Sequence, residues 1–144
     1  MTSDGSELAA FVVAFGEWVE ACWFDERAET GRRLDAVLAF PRGVVLVGSV
    51  SLLARLVDAT GGGAEDVAAA LAQHLIVPGP DLGRQALIRD VVLAAGASPA
   101  DRASILGRHD SDAIAGTALE CASFLTQVLA ERDGVVPSSI LEEL

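Results

Sequence analysis

Four side chains in this sequence are of the types that hold zinc: two cysteines and two histidines. Cys22, His74, His109 and Cys121 are suitable ligands in the right number for a tetrahedral site. No two of them stand in the short C-x-x-C or H-x-x-x-H spacing that brings a pair of ligands together locally. We therefore interpret the cysteines as buried, reduced side chains and predict neither a metal site nor another cofactor.

The pair His109-Asp110 suggests a second kind of metal chemistry. His74 precedes this pair in the chain and Asp133 follows it. The order resembles that of helical metal phosphohydrolases of the HD type, in which a lone histidine, a His-Asp pair and a distant aspartate hold the cations. In that family the pair lies within an apolar helix, whereas turn and cap residues surround it here. We expect Asp110 to cap a helix, with His109 just outside it, and keep the phosphohydrolase as a third hypothesis.

Other catalytic motifs are not recognisable, and we expect that the chain is not an enzyme. It contains neither a Ser-His-Asp arrangement nor a nucleophile elbow. The triplet Gly61-Gly62-Gly63 lacks the Lys-Ser/Thr end that a phosphate-binding loop needs. We interpret this triplet as a flexible link between helices.

The charge of the chain argues against nucleic acid as a ligand. The segment from Asp90 to Arg108 resembles a helix-turn-helix, with Gly96 in the turn and Ser98 opening a helix that carries Arg102. However, 21 acidic residues face 10 arginines and no lysine, so that the net charge is −11. Such a charge repels phosphate backbones and anionic membranes and favours basic protein partners. We attribute the absence of lysine to the codon usage of a GC-rich, bacterial genome.

The apolar content is high for a chain of this length. Hydrophobic residues make up 51% of the 144 residues, and the mean hydropathy is +0.43. A domain of this size has a substantial core, and the remaining apolar surface must meet a pocket or a partner. The longest apolar run, Val44 to Ala54, is interrupted by polar residues and is shorter than the roughly 20 residues that cross a bilayer. Because no signal-peptide pattern is present either, we expect no membrane span and a cytoplasmic protein.

Apolar spacing and capping residues predict helices in the first half of the chain. The first helix is capped by Ser6 and is followed by a break near Thr30 and Gly31. A short second helix follows, and a third begins at Pro41 and ends at the glycine triplet. The apolar run Val44–Val47 also fits a strand, which is the main alternative to an all-α fold.

The second half of the chain carries the same kinds of signal. A fourth helix begins near Glu65 and stops before Pro78. A fifth runs from a cap at Asp81 to Gly96, which we expect in the left-handed conformation. Ser98, followed by a proline, caps a short sixth helix.

The seventh helix, beginning near Asp110, is long and has the spacing of a packed helix. Its apolar residues recur at spacings of four, three, four and three. Gly134 ends it, and Ser138 caps a terminal turn. The stripe consists of Ile114, Ala118, Cys121, Leu125 and Val128.

Together these signals predict an all-α fold, a single-domain helical bundle of six or seven helices. The domain covers residues 1–144. Its ends, residues 1–6 and 134–144, are expected to be flexible or loosely docked.

Aromatic residues concentrate in the first helix, where Trp18 and Trp23 project about 140° apart. One apolar face cannot bury both equally, so one of them is free to meet a partner. We therefore predict a non-catalytic protein interaction module, an accessory or adaptor subunit that binds a protein partner or a second copy through an apolar helix face. The predicted interface residues are Trp18, Trp23, Ile114, Cys121, Leu125 and Val128.

An alternative function is the binding of an apolar small molecule. Helical bundles hold such ligands between their helices. Phe15, Trp18 and Leu53 would line the cavity. Neither function requires a cofactor.

Overall fold

A computed structural model describes residues 3–74 and 82–144. These residues form eight helices and contain no strand, which confirms the predicted all-α helical bundle with a slightly higher helix count. The predicted strand alternative at Val44–Val47 is wrong, because this run lies inside a helix. The helices are α1 (Ser3–Trp23), α2 (Arg27–Leu38), α3 (Arg42–Thr60), α4 (Ala64–His74), α5 (Leu82–Ala95), α6 (Pro99–Leu106), α7 (Ser111–Asp133) and α8 (Pro137–Glu143).

The helices belong to two compact units. The first unit is Met1–Gly48 together with Ser123–Leu144, and the second unit is Ser49–Ala122. Both unit boundaries fall inside helices, α3 and α7, which therefore contribute residues to each unit. The single domain predicted for residues 1–144 stays a prediction.

The core of the first unit is built on aromatic residues of α1. Phe11 and Phe15 are fully buried, and Trp18 is 8% exposed. The Phe11 ring stacks on Phe15 at 6.5 Å between ring centroids and meets the Phe40 ring edge to face at 5.7 Å. The Phe15 and Trp18 rings also meet edge to face, at 5.8 Å. Such contacts add to the stabilisation that burial of the large rings already provides.

The first helix begins and ends elsewhere than predicted. Ser6 is not its cap, because α1 already includes Ser3–Trp23. The break after it lies at residues 24–26, not near Thr30 and Gly31, which are inside α2. Asp25 has φ 54°, and the amide of Glu26 donates to the Ala21 carbonyl at 2.9 Å. This is the Schellman ending of a helix, formed here with an aspartate where glycine is usual.

The third and seventh helices end at glycines, as predicted. Gly61 follows α3 with φ 77°, and Gly134 follows α7 with φ 67°, a conformation that glycine adopts without steric cost. The third helix begins at Arg42, and the Pro41 carbonyl accepts the amides of Val44 and Val45. Pro41 therefore lies just before the helix instead of in its first turn.

In the second unit, two predicted caps are confirmed. The Ser98 side chain accepts the amide of Asp101 at the start of α6. The Asp110 Oδ2 atom accepts the amides of Asp112 and Ala113, at 3.1 and 3.3 Å, at the start of α7. Each side chain satisfies amides that have no partner within the helix.

The end of α5 differs from the prediction. Gly96 follows α5 but is not in the left-handed conformation. Instead, the Arg102 guanidinium donates to the carbonyls of Ala94 and Ala95, each at 3.1 Å. A cation at this position also complements the negative end of the helix dipole. The predicted features at Pro78 and Asp81 lie outside the described residues.

The chain ends in α8, which packs against α1 within the first unit. Pro137 and Ile140 are buried there. Ser138 is not the helix cap, since Val136 precedes the helix; the amide of Ser138 donates to the Glu20 carboxylate at 3.4 Å. The α8 helix thus lies next to the exposed side of α1.

Two of these helices are long and apolar enough to cross a membrane. They are α3, with 19 residues, and α7, with 23. In the most apolar 18-residue stretch of each helix, 44% of α3 and 61% of α7 is buried inside the protein. Core helices of soluble proteins can be equally long and apolar. The expectation that the chain has no membrane span stays a prediction.

Candidate functional site

Exposed apolar surface is concentrated in the first unit. Among the described residues, every large hydrophobic side chain that is strongly exposed belongs to this unit. All of the aromatic residues of the sequence also belong to it. Exposed apolar groups of this kind mark contact surfaces when they cluster. The exposed side chains are Val13, Phe24, Leu38, Val47, Val128, Val135 and Val136.

Two of them share one side of α1 with two carboxylates. Val13, Glu17, Glu20 and Phe24 lie at helical spacings of four, three and four residues, within about 60° of one another around the axis. We call these four residues the α1 face. Although Phe24 follows the last residue of α1, its amide donates to the Glu20 carbonyl at 2.9 Å, which continues the helical turn.

The α1 face lies opposite the buried aromatic side of the same helix. Phe11, Phe15 and Trp18 project about 140–200° from Val13, at roughly 100° per residue. Val13 is 63% exposed and Phe24 is 55% exposed, whereas the opposite side is buried. The helix is therefore apolar on two sides, and its own core covers only one of them.

A groove runs between α1 and α8 beside the α1 face. Its volume is about 260 Å³. The floor is apolar, and Gly16 admits α8 closely, since a β-carbon there would lie 3.1 Å from Leu141 Cδ1. Carboxylates stand at the edges of this apolar floor. The lining residues are Val12, Val13, Gly16, Glu17, Glu20, Ser138, Leu141 and Glu142.

A second, smaller groove of about 200 Å³ lies farther along α1, toward α2. Both grooves are lined by Glu17 and Glu20, so they lie next to each other along the helix. Phe24 provides apolar surface in the second groove. Its lining residues are Glu17, Glu20, Ala21, Phe24, Glu26, Glu29 and Arg33.

The charge along these two grooves is strongly negative. Arg33 is the one cation that lines them, and it contacts Glu17 at 2.9 Å and Glu29 at 3.4 Å. Within the described part of the chain, neither Glu20 nor Glu142 is within ion-pair distance of an arginine. The grooves therefore present uncompensated carboxylates next to exposed apolar side chains.

The predicted interface residues divide between buried and accessible positions. Ile114, Cys121 and Leu125 are buried within the chain, and Trp18 is nearly so. Trp23 is half-buried and Val128 is exposed. The structure does not bring these residues together at one surface: the stripe of α7 is mostly core, as its packed-helix spacing also allows.

The proposed lining of an apolar cavity consists of core residues. Phe15 and Leu53 are fully buried, and Phe15 packs directly on Trp18. The Trp18 Nε1 atom is buried and has no hydrogen-bond partner among the described residues. Close ring packing leaves little room for a ligand beside Phe15.

A larger groove, of about 640 Å³, lies in the second unit between α4 and α5. Its floor consists mainly of the alanines Ala68, Ala69, Ala72 and Ala86. It offers no large exposed apolar side chain to anchor a partner among the described residues. Size alone therefore does not make it the better binding surface.

Asp90 at the edge of this larger groove contacts His109. The distance from His109 Nε2 to Asp90 Oδ2 is 2.8 Å, and both side chains are mostly buried. His109 is therefore held by a carboxylate from α5 and not by its neighbour Asp110, which caps α7. This pair ties the loop before α7 to α5.

The described residues do not assemble the ligands that either metal hypothesis proposed. Within residues 3–74 and 82–144, no three His, Cys, Asp or Glu side chains are placed to hold a metal ion together. Asp133 contacts Arg132 at 2.9 Å, and His74 lies exposed at the end of α4. Within the described residues, Cys22 and Cys121 are not joined in a disulfide bond.

Sequence reasoning missed the contacts that join distant segments. The Asp90–His109 pair and the Glu20–Ser138 contact have no local sequence signal, because their partners lie 19 and 118 residues apart. The α1 face had a partial signal, since Glu17 and Glu20 fall on the side of the first helix opposite its apolar stripe.

Comparison with protein-family models, curated proteins and solved structures finds no match to this chain.

Proposed function

We propose that this chain is a non-catalytic protein interaction module that binds its partner through the α1 face. It acts as an accessory or adaptor subunit in the cytoplasm. The observation that carries this proposal is the pair of exposed apolar residues, Val13 and Phe24, on the side of α1 that faces away from its aromatic core. Binding surfaces are dominated by a few such anchors, with near-neutral or polar contacts around them.

The partner is expected to be a different protein. A second copy would bring an equally acidic face against this one, because the net charge of the chain is −11. Like-charge juxtaposition at an interface costs several kcal/mol. Light scattering coupled to size exclusion, at several concentrations and two salt levels, measures whether the purified chain remains a monomer, as this reasoning predicts.

Removal of the two anchors tests the proposal. The tagged chain is isolated from the cells that make it, in its original form and as the double variant Val13→Ser, Phe24→Ser. We expect a stoichiometric partner with the original chain and at least about a tenfold loss with the variant, because each anchor is worth on the order of 1–2 kcal/mol. Quantitative mass spectrometry of the isolated complex provides the readout.

Leu38→Ser is the matched control, because Leu38 is 53% exposed, similar to Phe24, but lies on α2 and lines neither of the two grooves. It should retain the partner. Thermal unfolding must first show that both variants fold, as expected of exposed positions. Equal recovery of the partner by the double variant and by the control would contradict the proposal. Leu125→Asp is unsuitable as a test, since Leu125 is buried and a charge there would unfold the protein.

A further inference from the structure

We infer that the occupant of the α1 face is a basic amphipathic helix of the partner protein. This inference rests on the proposed function and adds the chemistry of the partner. Three features carry it: two apolar anchors at a fixed separation, two adjacent grooves that each contain one anchor, and carboxylates along those grooves.

The anchors fit one side of a docked helix. Val13 and Phe24 are eleven residues apart in one helical path, or about 16 Å at 1.5 Å per residue. A helix of about three turns lying along α1 would span this distance. Its apolar side chains would meet Val13 and Leu141 at one end and Phe24 at the other. Helix-in-groove recognition uses anchors spaced in this way.

The carboxylates between the anchors select the charge of that helix. Glu20 and Glu142 have no arginine within ion-pair distance in the described chain, and Glu17 shares one arginine with Glu29. A docked helix with arginine or lysine between its apolar positions would compensate them. A helix with acidic residues there would be repelled.

Other occupants fit less well. A second copy would bring its own net charge of −11 against these acidic grooves, which opposes self-association. Anionic lipid surfaces and nucleic acids carry the same sign of charge as the groove. A basic protein helix satisfies both the apolar and the charged parts of the surface.

A pair of synthetic peptides tests the inference with the full chain. Each is a helix of about 14 residues with leucine at the anchor positions; one has arginine at the intervening positions and the other has glutamate. Calorimetry should show binding of the basic peptide, weakened at least about tenfold between low and high salt, and no binding of the acidic peptide.

Two charge-matched variants locate the binding site. In Glu20→Gln, Glu142→Gln the affinity for the basic peptide should fall about two- to fivefold for each carboxylate, as exposed ion pairs would predict. The control Glu65→Gln, Glu131→Gln removes the same charge from exposed positions outside the two grooves and should bind like the original chain.

Three results would overturn the inference: equal binding of both peptides, equal losses in the two charge variants, or co-sedimentation with phosphatidylcholine vesicles in place of peptide binding. None of these would by itself contradict the proposed function, which depends on whether Val13→Ser, Phe24→Ser loses its partner. Loss of that partner together with failure of the basic peptide would mean that the α1 face binds another kind of protein surface.

Discussion

At the level of single residues, Trp18 combines a buried ring with a donor that finds no acceptor in residues 3–74 and 82–144. The ring packs against Phe15, whereas its Nε1 atom is buried without a partner in these residues. A buried donor without a partner costs about 1–3 kcal/mol. This cost partly offsets the stabilisation that burial of the ring provides.

Trp18→Phe should therefore change the free energy of unfolding by less than about 1 kcal/mol, because the removed donor offsets the smaller ring. Trp18→Ala should lose about 3–5 kcal/mol through the cavity that it leaves. Urea denaturation followed by circular dichroism compares the two variants. A loss in Trp18→Phe as large as that in Trp18→Ala would show that the donor has a partner in solution.

Cys22 gives a pH-dependent prediction. Burial raises the pKa of its thiol, and a smaller, opposing effect comes from a hydrogen bond with the Thr30 side chain. In the Cys121→Ser variant, alkylation of Cys22 by iodoacetamide should therefore have its midpoint above the value of about 8.5 of a free cysteine. A midpoint at or below that of a cysteine peptide would contradict the buried environment.

The same shift affects stability. Because the pKa of Cys22 is higher in the folded state than in the unfolded state, the folded chain retains the proton longer as pH rises. Its contribution to stability is complete below the unfolded-state pKa and is lost as pH rises through the folded-state pKa. Cys22→Ser should lack this alkaline loss.

At the level of helices, α3 and α1 make a close approach at Gly48 within the first unit. A β-carbon at Gly48 would lie 2.6 Å from Cδ1 and 2.7 Å from Cε1 of Phe11. Phe11 is fully buried and contacts the rings of Phe15 and Phe40, so it has no space to move away. Glycine is therefore required inside α3 despite its low helix propensity.

Gly48→Ala should destabilise the protein by about 1–3 kcal/mol, since the steric overlap exceeds the gain in helix propensity. Gly116→Ala in α7 is the control, because a β-carbon there meets nothing within 4 Å. It should stabilise the protein by about 0.5–1 kcal/mol. Thermal melts of both variants provide the comparison, and a stabilised Gly48→Ala would refute the close approach.

Helix boundaries were predictable where a cap needs only a few neighbouring residues. Ser98 and Asp110 cap the helices expected of them, since each bond joins a side chain to an amide two or three residues away. The end of α1 was mispredicted because Asp25 adopts the left-handed conformation that glycine normally signals. The end of α5 was predicted at the right residue, but Gly96 is not left-handed because Arg102, from the following helix, binds the last carbonyls of α5.

The candidate site was predictable only in part. The concentration of aromatic residues in the first helix correctly indicated that one side could not bury them all. The stripe of α7, including Cys121 and Leu125, was assigned to an interface but is buried in the chain. Periodicity shows that a side of a helix is apolar, but which neighbour covers it depends on contacts between distant segments, such as α1 with α8.

At the level of the whole molecule, apolar exposure and charge are unevenly distributed. The strongly exposed apolar side chains of the described residues all belong to the first unit. That unit has 12 of the 21 acidic residues but only 5 of the 10 arginines. The described part of the first unit thus exposes more large apolar side chains than that of the second, and the sequence of the first unit has the larger negative charge, as expected of a unit that binds a basic, amphipathic partner.

Radical footprinting of the isolated native complex tests this account most directly. Phe24 and Leu38 have nearly equal exposure in the free chain, 55% and 53%, so each serves as a reference for the other. We predict that partner binding protects Phe24 strongly from oxidation and leaves Leu38 unchanged. Oxidation of Phe24 at the same rate in the free chain and in the complex would contradict the claim that the α1 face is the binding surface.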